Sequence, residues 1–333
     1  GMRLYIDKAN LISFLDSRRD VEYMDIYADC ERMIRRQLAV QYNFPKDQCN
    51  DGGKLQAWFL NATNGCGYNE SSDIFANTED SIYPPRPLKG TFYNQASQEQ
   101  ISSVYLVNEQ VNAIKQSHTV LIGGVGEEIT ILKRLFCGTD YDYHVCYDIR
   151  NLDCFSGWQK LDDDGHVLPC TDIIITDRYL FKESDDIIQA NLNTILRLFG
   201  QKKGAKINLV VVTKGEVDIV WQKRRQELSR AMKYSKYSAV NITFVLSHEC
   251  PHDRLIITNY RMFRSGDSFN YYDSKGNLKT KGDALDVDSM AKASSYRYAV
   301  QRINNVQAIV DKLKSLNRND LIIGDKISSW IKF

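Results

Sequence analysis

Three short apolar runs, at residues 172–176, 207–213 and 242–246, alternate with two stretches of helical periodicity. Strands this apolar belong in a sheet covered on both faces. A helix between successive parallel strands makes each connection a right-handed crossover. The first helix is predicted over 185–199, with Ser184 as its cap and Ile187, Ile188, Leu192, Ile195, Leu196 and Phe199 facing inward. The second is predicted over 217–234 and carries Lys223, Arg224, Arg225, Arg230 and Lys233. The pattern therefore predicts an α/β domain with a mixed or parallel central sheet. Ligands of such sheets gather beyond the carboxyl ends of the strands. Asp177 and Arg178 follow the first strand, and the segment from His248 to His252 follows the third.

That last segment is the one place where chemically able side chains interrupt a strand pattern at a meaningful spacing. Residues 255–258 read as the next strand. If the chain is extended from His252 onward, alternation puts His252 and Arg254 on one side. An imidazole and a guanidinium aimed at one point suit a phosphate. The imidazole can attack or donate a proton, and the guanidinium can bind two oxygens.

From His252 the chain continues to Arg254, then after four residues to Asn259, after six more to Gly266 and Asp267, and on to Asn270. This string resembles the H-x-K-x(4)-D-x(6)-G-S-x-x-N motif of the phospholipase D superfamily. Every spacing fits. The identities fit at His252, Gly266 and Asn270 and depart at Arg254 (Lys in the family), Asn259 (Asp) and Asp267 (Ser). The His-Asp-Arg form is similar to the divergent phospholipase D-like domains found behind microtubule-interacting domains and in various bacterial proteins. The resemblance covers the C-terminal half and agrees with the strand–helix order that precedes the histidine.

The resemblance implies a metal-independent phosphodiesterase chemistry, most simply that of a nuclease. Two histidine motifs meet at one site in that family. One histidine attacks phosphorus to give a phosphohistidine, and the other protonates the leaving oxygen. Only one motif is present here, because His118, His144, His166 and His248 lack a Lys or Arg two residues on. Turnover would then need a homodimer with His252 from each protomer across a two-fold axis. Arg254 would hold the phosphate, Asn259 and Asn270 would orient the site, and Gly266, Asp267, Asp177, Arg178 and His248 would line the substrate.

The departures support a second reading, a degenerate module that recognises phosphate and binds nucleic acid or a protein partner without turnover. Asn259 in place of Asp removes a charge able to stabilise an imidazolium. Arginine in place of lysine keeps the charge but changes its geometry. Lys223, Arg224 and Arg225, with Arg261 and Arg264, are the candidate nucleic-acid contacts, although the basic helix reads equally as a solvated face. The net charge of +1 gives no global attraction to polyanions, so a local patch would have to supply it.

No metal or cofactor is expected. The eight cysteines contain no C-x-x-C pair and read as reduced, mostly buried thiols. His248, Cys250 and His252 are spaced two apart, but Pro251 disturbs the alternation that would align them as zinc ligands. The turn Gly123-Gly124-Val125-Gly126 matches neither phosphate-loop spacing, and Glu127 and Glu128 would repel a phosphate.

Residues 2–140 read as a mainly helical α+β region of unknown role, and 141–333 as the phospholipase D-like domain. Within the first, helices are predicted over 21–42 and 97–114, a short strand over 119–122, and a long polar, Pro-containing excursion over 61–89. Gly1 reads as a tag scar. With no leader pattern and no apolar run near the roughly 18 residues of a membrane helix, a cytoplasmic protein is expected.

Overall fold

The computed structural model describes residues 1–42, 52–63, 75–77, 103–107, 120–200, 206–233 and 239–333. These fall into two compact units. The first takes the described residues up to 107 with Val120–Tyr143 and Ser289–Arg297, and the second takes His144–Asp288 and Tyr298–Phe333.

The first unit contains β1 (Arg3–Ile6), α1 (Lys8–Asp16), α2 (Tyr27–Arg36), β2 (Ala39–Tyr42), α3 (Lys54–Thr63), β3 (Phe75–Asn77), β4 (Ser103–Leu106), β5 (Leu121–Gly123) and α4 (Glu128–Lys133). The strands form one sheet in the order β3-β2-β1-β4-β5, and every pairing is parallel. The expectation of a mainly helical α+β region is thereby corrected. Two of these strands, β2 and β4, lie inside stretches predicted as helix. All four residues of β4 are buried. A short strand covered on both faces shows no alternation, so periodicity alone cannot separate it from a buried helical turn. Residues 97–102 and 108–114 lie outside the described residues, as does most of the 61–89 excursion.

The second sheet is built from β6 (His144–Asp148), β7 (Asp172–Thr176), β8 (Lys206–Thr213), β9 (Ala239–Leu246), β10 (Arg254–Ile257), β11 (Arg261–Ser265), β12 (Ala284–Ser289) and β13 (Ile322–Gly324). Its order is β13-β9-β8-β7-β10-β11-β12-β6. The three predicted strands, β7 to β9, are mutually parallel. β10 turns antiparallel against β7 and β11, which makes the sheet mixed. The helices of this unit are α5 (Gln159–Asp163), α6 (Asp185–Ile188), α7 (Thr194–Gly200), α8 (Val220–Met232) and α9 (Ala293–Ser315), the last beginning in the first unit. No described helix is long and apolar enough to cross a membrane.

The helix predicted over 185–199 is interrupted by a π turn, Gln189–Asn193, between α6 and α7. Asn191 sits in that turn with its amide fully used. Its Nδ2 donates to the carbonyls of Ile187 and Tyr272, both at 2.8 Å. Its Oδ1 accepts from the Tyr272 N–H at 2.9 Å and the Trp158 indole at 3.1 Å. A buried amide satisfied on all sides fixes the chain that returns past residue 270.

Ile173–Ile175, Leu209–Val212 and Phe244–Leu246 form the centre of the core. A polar chain is buried with them. Arg261, the largest fully buried side chain, donates through Nε to Nδ1 of His166 at 3.3 Å. His166 Nε2 lies 2.8 Å from the Tyr147 hydroxyl, which donates to Asp164 at 2.6 Å. Burial first, and the Arg261 guanidinium second, push the His166 imidazole down to about 3. In the unfolded chain the same ring titrates near its ordinary value of about 6.5. Below that pH the unfolded state takes up a proton that the folded state refuses. His166 therefore removes stability as pH falls from about 6.5 toward 3, by up to about 1.4 kcal/mol per pH unit. In urea unfolding at pH 7 and pH 5, His166→Gln should lose clearly less stability between the two than the parent. Equal losses would mean that this ring is not held neutral.

Candidate functional site

The candidate site forms where β7, β8 and β9 end and β10 begins. Thr176, the last residue of β7, pairs with Val212 on one side and Leu255 on the other. Asp177 follows with no exposed surface. Its Oδ2 accepts from the Ser268 hydroxyl at 2.8 Å and the Phe269 N–H at 2.9 Å, while Oδ1 accepts from the Tyr179 N–H at 3.0 Å. Burial pushes its pKa up, outweighing these hydrogen bonds and the Arg254 charge. The sequence placed Asp177 against substrate. A carboxylate with no accessible surface touches none, and its role is to tie residues 268–269 to the end of β7.

Arg178 comes next and turns outward. Its Nη1 lies 2.5 Å from Nε2 and 3.1 Å from Nδ1 of His252, and its Nη2 donates to the His248 carbonyl at 3.2 Å. A guanidinium only donates, so the ring nitrogen facing it accepts. The Arg178 Nε is buried without a hydrogen-bond partner. His252 is exposed and sits in the bend before β10. That bend is held by Thr176, whose hydroxyl donates to the Asp253 carbonyl at 2.9 Å, and by Arg302, 2.8 Å from the Asp253 carboxylate.

Arg254 opens β10. It donates to the Gly266 carbonyl at 3.2 Å and lies 5.8 Å from the centre of the Tyr179 ring, and its Nε is also buried without a partner. Asp267 accepts from Thr280 Oγ1 at 2.6 Å. Burial pushes this carboxylate up, but its hydrogen bonds and the Arg254 charge prevail and hold it below the usual range. Asn270 donates to the Leu180 carbonyl at 3.0 Å, and its Oδ1 is buried without a partner. The strand ends thus gather Arg178, His248, His252, Arg254, Gly266, Asp267 and Asn270 around the Asp177 tie. Tyr179 and Arg302 were not predicted, and neither stands out in its local sequence pattern.

Asn259 is not part of this group. The register Leu255↔Thr176 to Ile257↔Ile174 carries β10 back along β7, so Asn259 lies at the opposite end. There its Oδ1 accepts from the Thr171 N–H at 2.8 Å and its Nδ2 donates to Thr171 Oγ1 at 3.1 Å. It fastens two strands and does not orient His252.

The predicted nucleic-acid contacts also fail to assemble. Arg261 is wholly buried against His166. Arg224 lies over the rings of Phe181 and Trp221 at 4.8 and 4.5 Å. Lys223 faces Asp185 at 3.3 Å, Arg225 pairs with Asp325, and Arg264 pairs with Asp288 at 2.8 Å. A zinc arrangement of His248, Cys250 and His252 is likewise not formed. Cys250 is buried, its thiol pushed up to about 12 by burial, and its sulfur donates to the Val212 carbonyl. His248 is exposed and faces Glu216 at 3.5 Å. Among the described residues no group of three side chains is placed to hold a metal ion.

Asp177→Asn puts an amide donor where the carboxylate accepts three hydrogen bonds. A buried donor left facing donors costs about 1–3 kcal/mol. The midpoint of thermal unfolding should therefore fall by several degrees, and an unchanged midpoint would remove Asp177 as the tie.

In comparisons with known proteins, no protein-family model matches this chain and no curated protein matches it.

Proposed function

We propose that the second unit is a phospholipase D-like, phosphate-recognising module, with Arg178, Arg254 and His252 as the groups that meet the phosphate. The observation that carries this reading is the contact of Arg178 with His252 at the carboxyl edge of three parallel strands. One guanidinium, Arg178, meets the imidazole, and a second, Arg254, follows it two residues on at the start of β10, so donors outnumber acceptors along this edge. Binding to a nucleic acid or a protein partner would then begin from a single phosphate.

Binding without turnover is favoured because the imidazole nitrogen that would attack phosphorus is held by Arg178. The alternative reading, a phosphodiesterase of nuclease type, keeps one supporting observation, the exposure of His252. In a homodimer, an arriving phosphate would take the Arg178 guanidinium and free the ring. One His252 would then form the N–P bond as the P–O bond breaks, with the partner imidazole giving its proton to the leaving oxygen. Water would next form the new P–O bond and break N–P. Neither half-reaction needs a metal.

Titration calorimetry with inorganic phosphate tests the binding reading. A charge-assisted hydrogen bond contributes roughly 1.5–3 kcal/mol, so Arg178→Ala should weaken binding about tenfold or more, and Arg254→Ala similarly. An unchanged dissociation constant in both variants would sink the proposal. Hydrolysis of bis(p-nitrophenyl) phosphate, abolished in His252→Ala, would move the conclusion to turnover.

A further inference from the structure

Beside the candidate phosphate site the second unit holds a cavity of about 190 Å³. Its floor is aliphatic, made by Leu246, Ile309, Leu313 and Leu321. Its rim is polar and carries His248, Glu216, Glu249, Lys312 and Arg318, with Glu249 paired to Lys312. Gly215 forms part of the wall, where an added Cβ would lie 2.6 Å from the Trp221 ring and 3.2 Å from Leu246. The loop is pinned there by the Trp221 indole, which donates to the Glu216 carbonyl at 2.8 Å. One guanidinium links the cavity to the phosphate site, since Arg178 touches both His252 and the carbonyl of His248. With both contacts on one planar group, that ring and that carbonyl lie within about 8 Å of each other.

We infer that this cavity takes the base of a nucleotide whose phosphate sits at Arg178, His252 and Arg254. The inference rests on the proposed phosphate reading and adds what the phosphate is attached to. The volume favours a ring, since an apolar cavity of roughly 150 Å³ takes up benzene. It is too small for a long acyl chain. An aliphatic floor covers a flat face, while the exposed Glu216 carboxylate on the rim can accept from ring N–H and exocyclic amino groups. The elongated partner of a backbone-tracking protein is disfavoured, because Lys223 and Arg225 of the helix are already paired with acids and Arg224 is stacked on two rings.

Calorimetry on the full chain would compare the four ribonucleoside 5′-monophosphates with ribose 5-phosphate, inorganic phosphate and the unphosphorylated nucleosides. At least one nucleotide should bind tenfold or more tighter than ribose 5-phosphate. Leu313→Trp, which fills the cavity, should abolish that difference and leave inorganic phosphate affinity unchanged. Leu316→Trp, at an exposed position on the same cavity, provides the comparison if Leu313→Trp does not fold. Nucleotides no tighter than ribose 5-phosphate would overturn the inference, as would displacement of a bound nucleotide by hexanoate with no preference for a base. Nucleosides that bind while phosphate and Arg178→Ala have no effect would uphold the base pocket and defeat the phosphate reading. If nothing binds, both fall.

Discussion

The carboxylate of Asp177 is the constraint on which the candidate site depends. It has no contact with solvent, and it gathers three hydrogen bonds, one from Tyr179 two residues on and two from the distant pair Ser268 and Phe269. Burying a carboxylate is costly unless it is well bonded, so the segment around Ser268 and Phe269 is drawn to it. That single tie sets the height of Arg178 above β7. It also brings Gly266 within reach of Arg254 and places Asn270 beside Leu180. The outward-facing groups are thus aimed by one that faces inward. The raised pKa of Asp177 follows from the same burial.

Much of this arrangement was legible in the sequence, and its errors have definite physical causes. β7, β8 and β9 were readable because each has an apolar run at its centre and each is followed by a helix or a polar turn. Within the motif string, His252 comes just before β10 and Gly266 just after β11. The spacing of that string misplaced Asn259. A strand rises by about 3.3 Å per residue, so a residue seven positions beyond His252 lies on the order of 20 Å along the sheet. Regular spacing in an extended segment gives a shared face or a shared ladder, and it does not give a shared point. Arg261 was misread for another reason. Lysine and arginine are almost never fully buried unless paired, and its partner, His166, is 95 residues away in sequence. In the first unit, β2 and β4 were hidden inside helical patterns because strands of four residues carry too little periodicity to register.

The distribution of cations narrows the proposed function more than their number does. Across α8 and the second sheet, Lys223, Arg225 and Arg264 are paired with Asp185, Asp325 and Asp288, and Arg224 lies over two aromatic rings. Arg178 and Arg254 differ. Each gives its hydrogen bonds to a backbone carbonyl or an imidazole nitrogen, and neither makes a direct ion pair among the contacts described. Uncompensated charge in a confined place selects for one compact anion, whereas a surface stripe selects for a polyanion. With a net charge of +1 the chain offers no global pull on a polyanion, which under the proposed reading favours a single phosphate with the rest of the ligand recognised by shape.

The closeness of Arg178 to His252 also sets the order of events at such a site. While the guanidinium donates to the ring, the imidazole lone pair is engaged and the ring is a poor nucleophile. A phosphate offers the same guanidinium two oxygens in a matching fork, a stronger acceptor than a neutral nitrogen. Arrival of the anion would exchange one contact for the other and release the ring. Whether release leads only to a tighter cradle or on to attack at phosphorus depends on a second proton donor opposite the first. Within this chain His248, the nearest histidine in sequence, is turned toward Glu216. The donor would have to come from another copy, so under the proposed reading association of two chains is what separates a binding module from an enzyme.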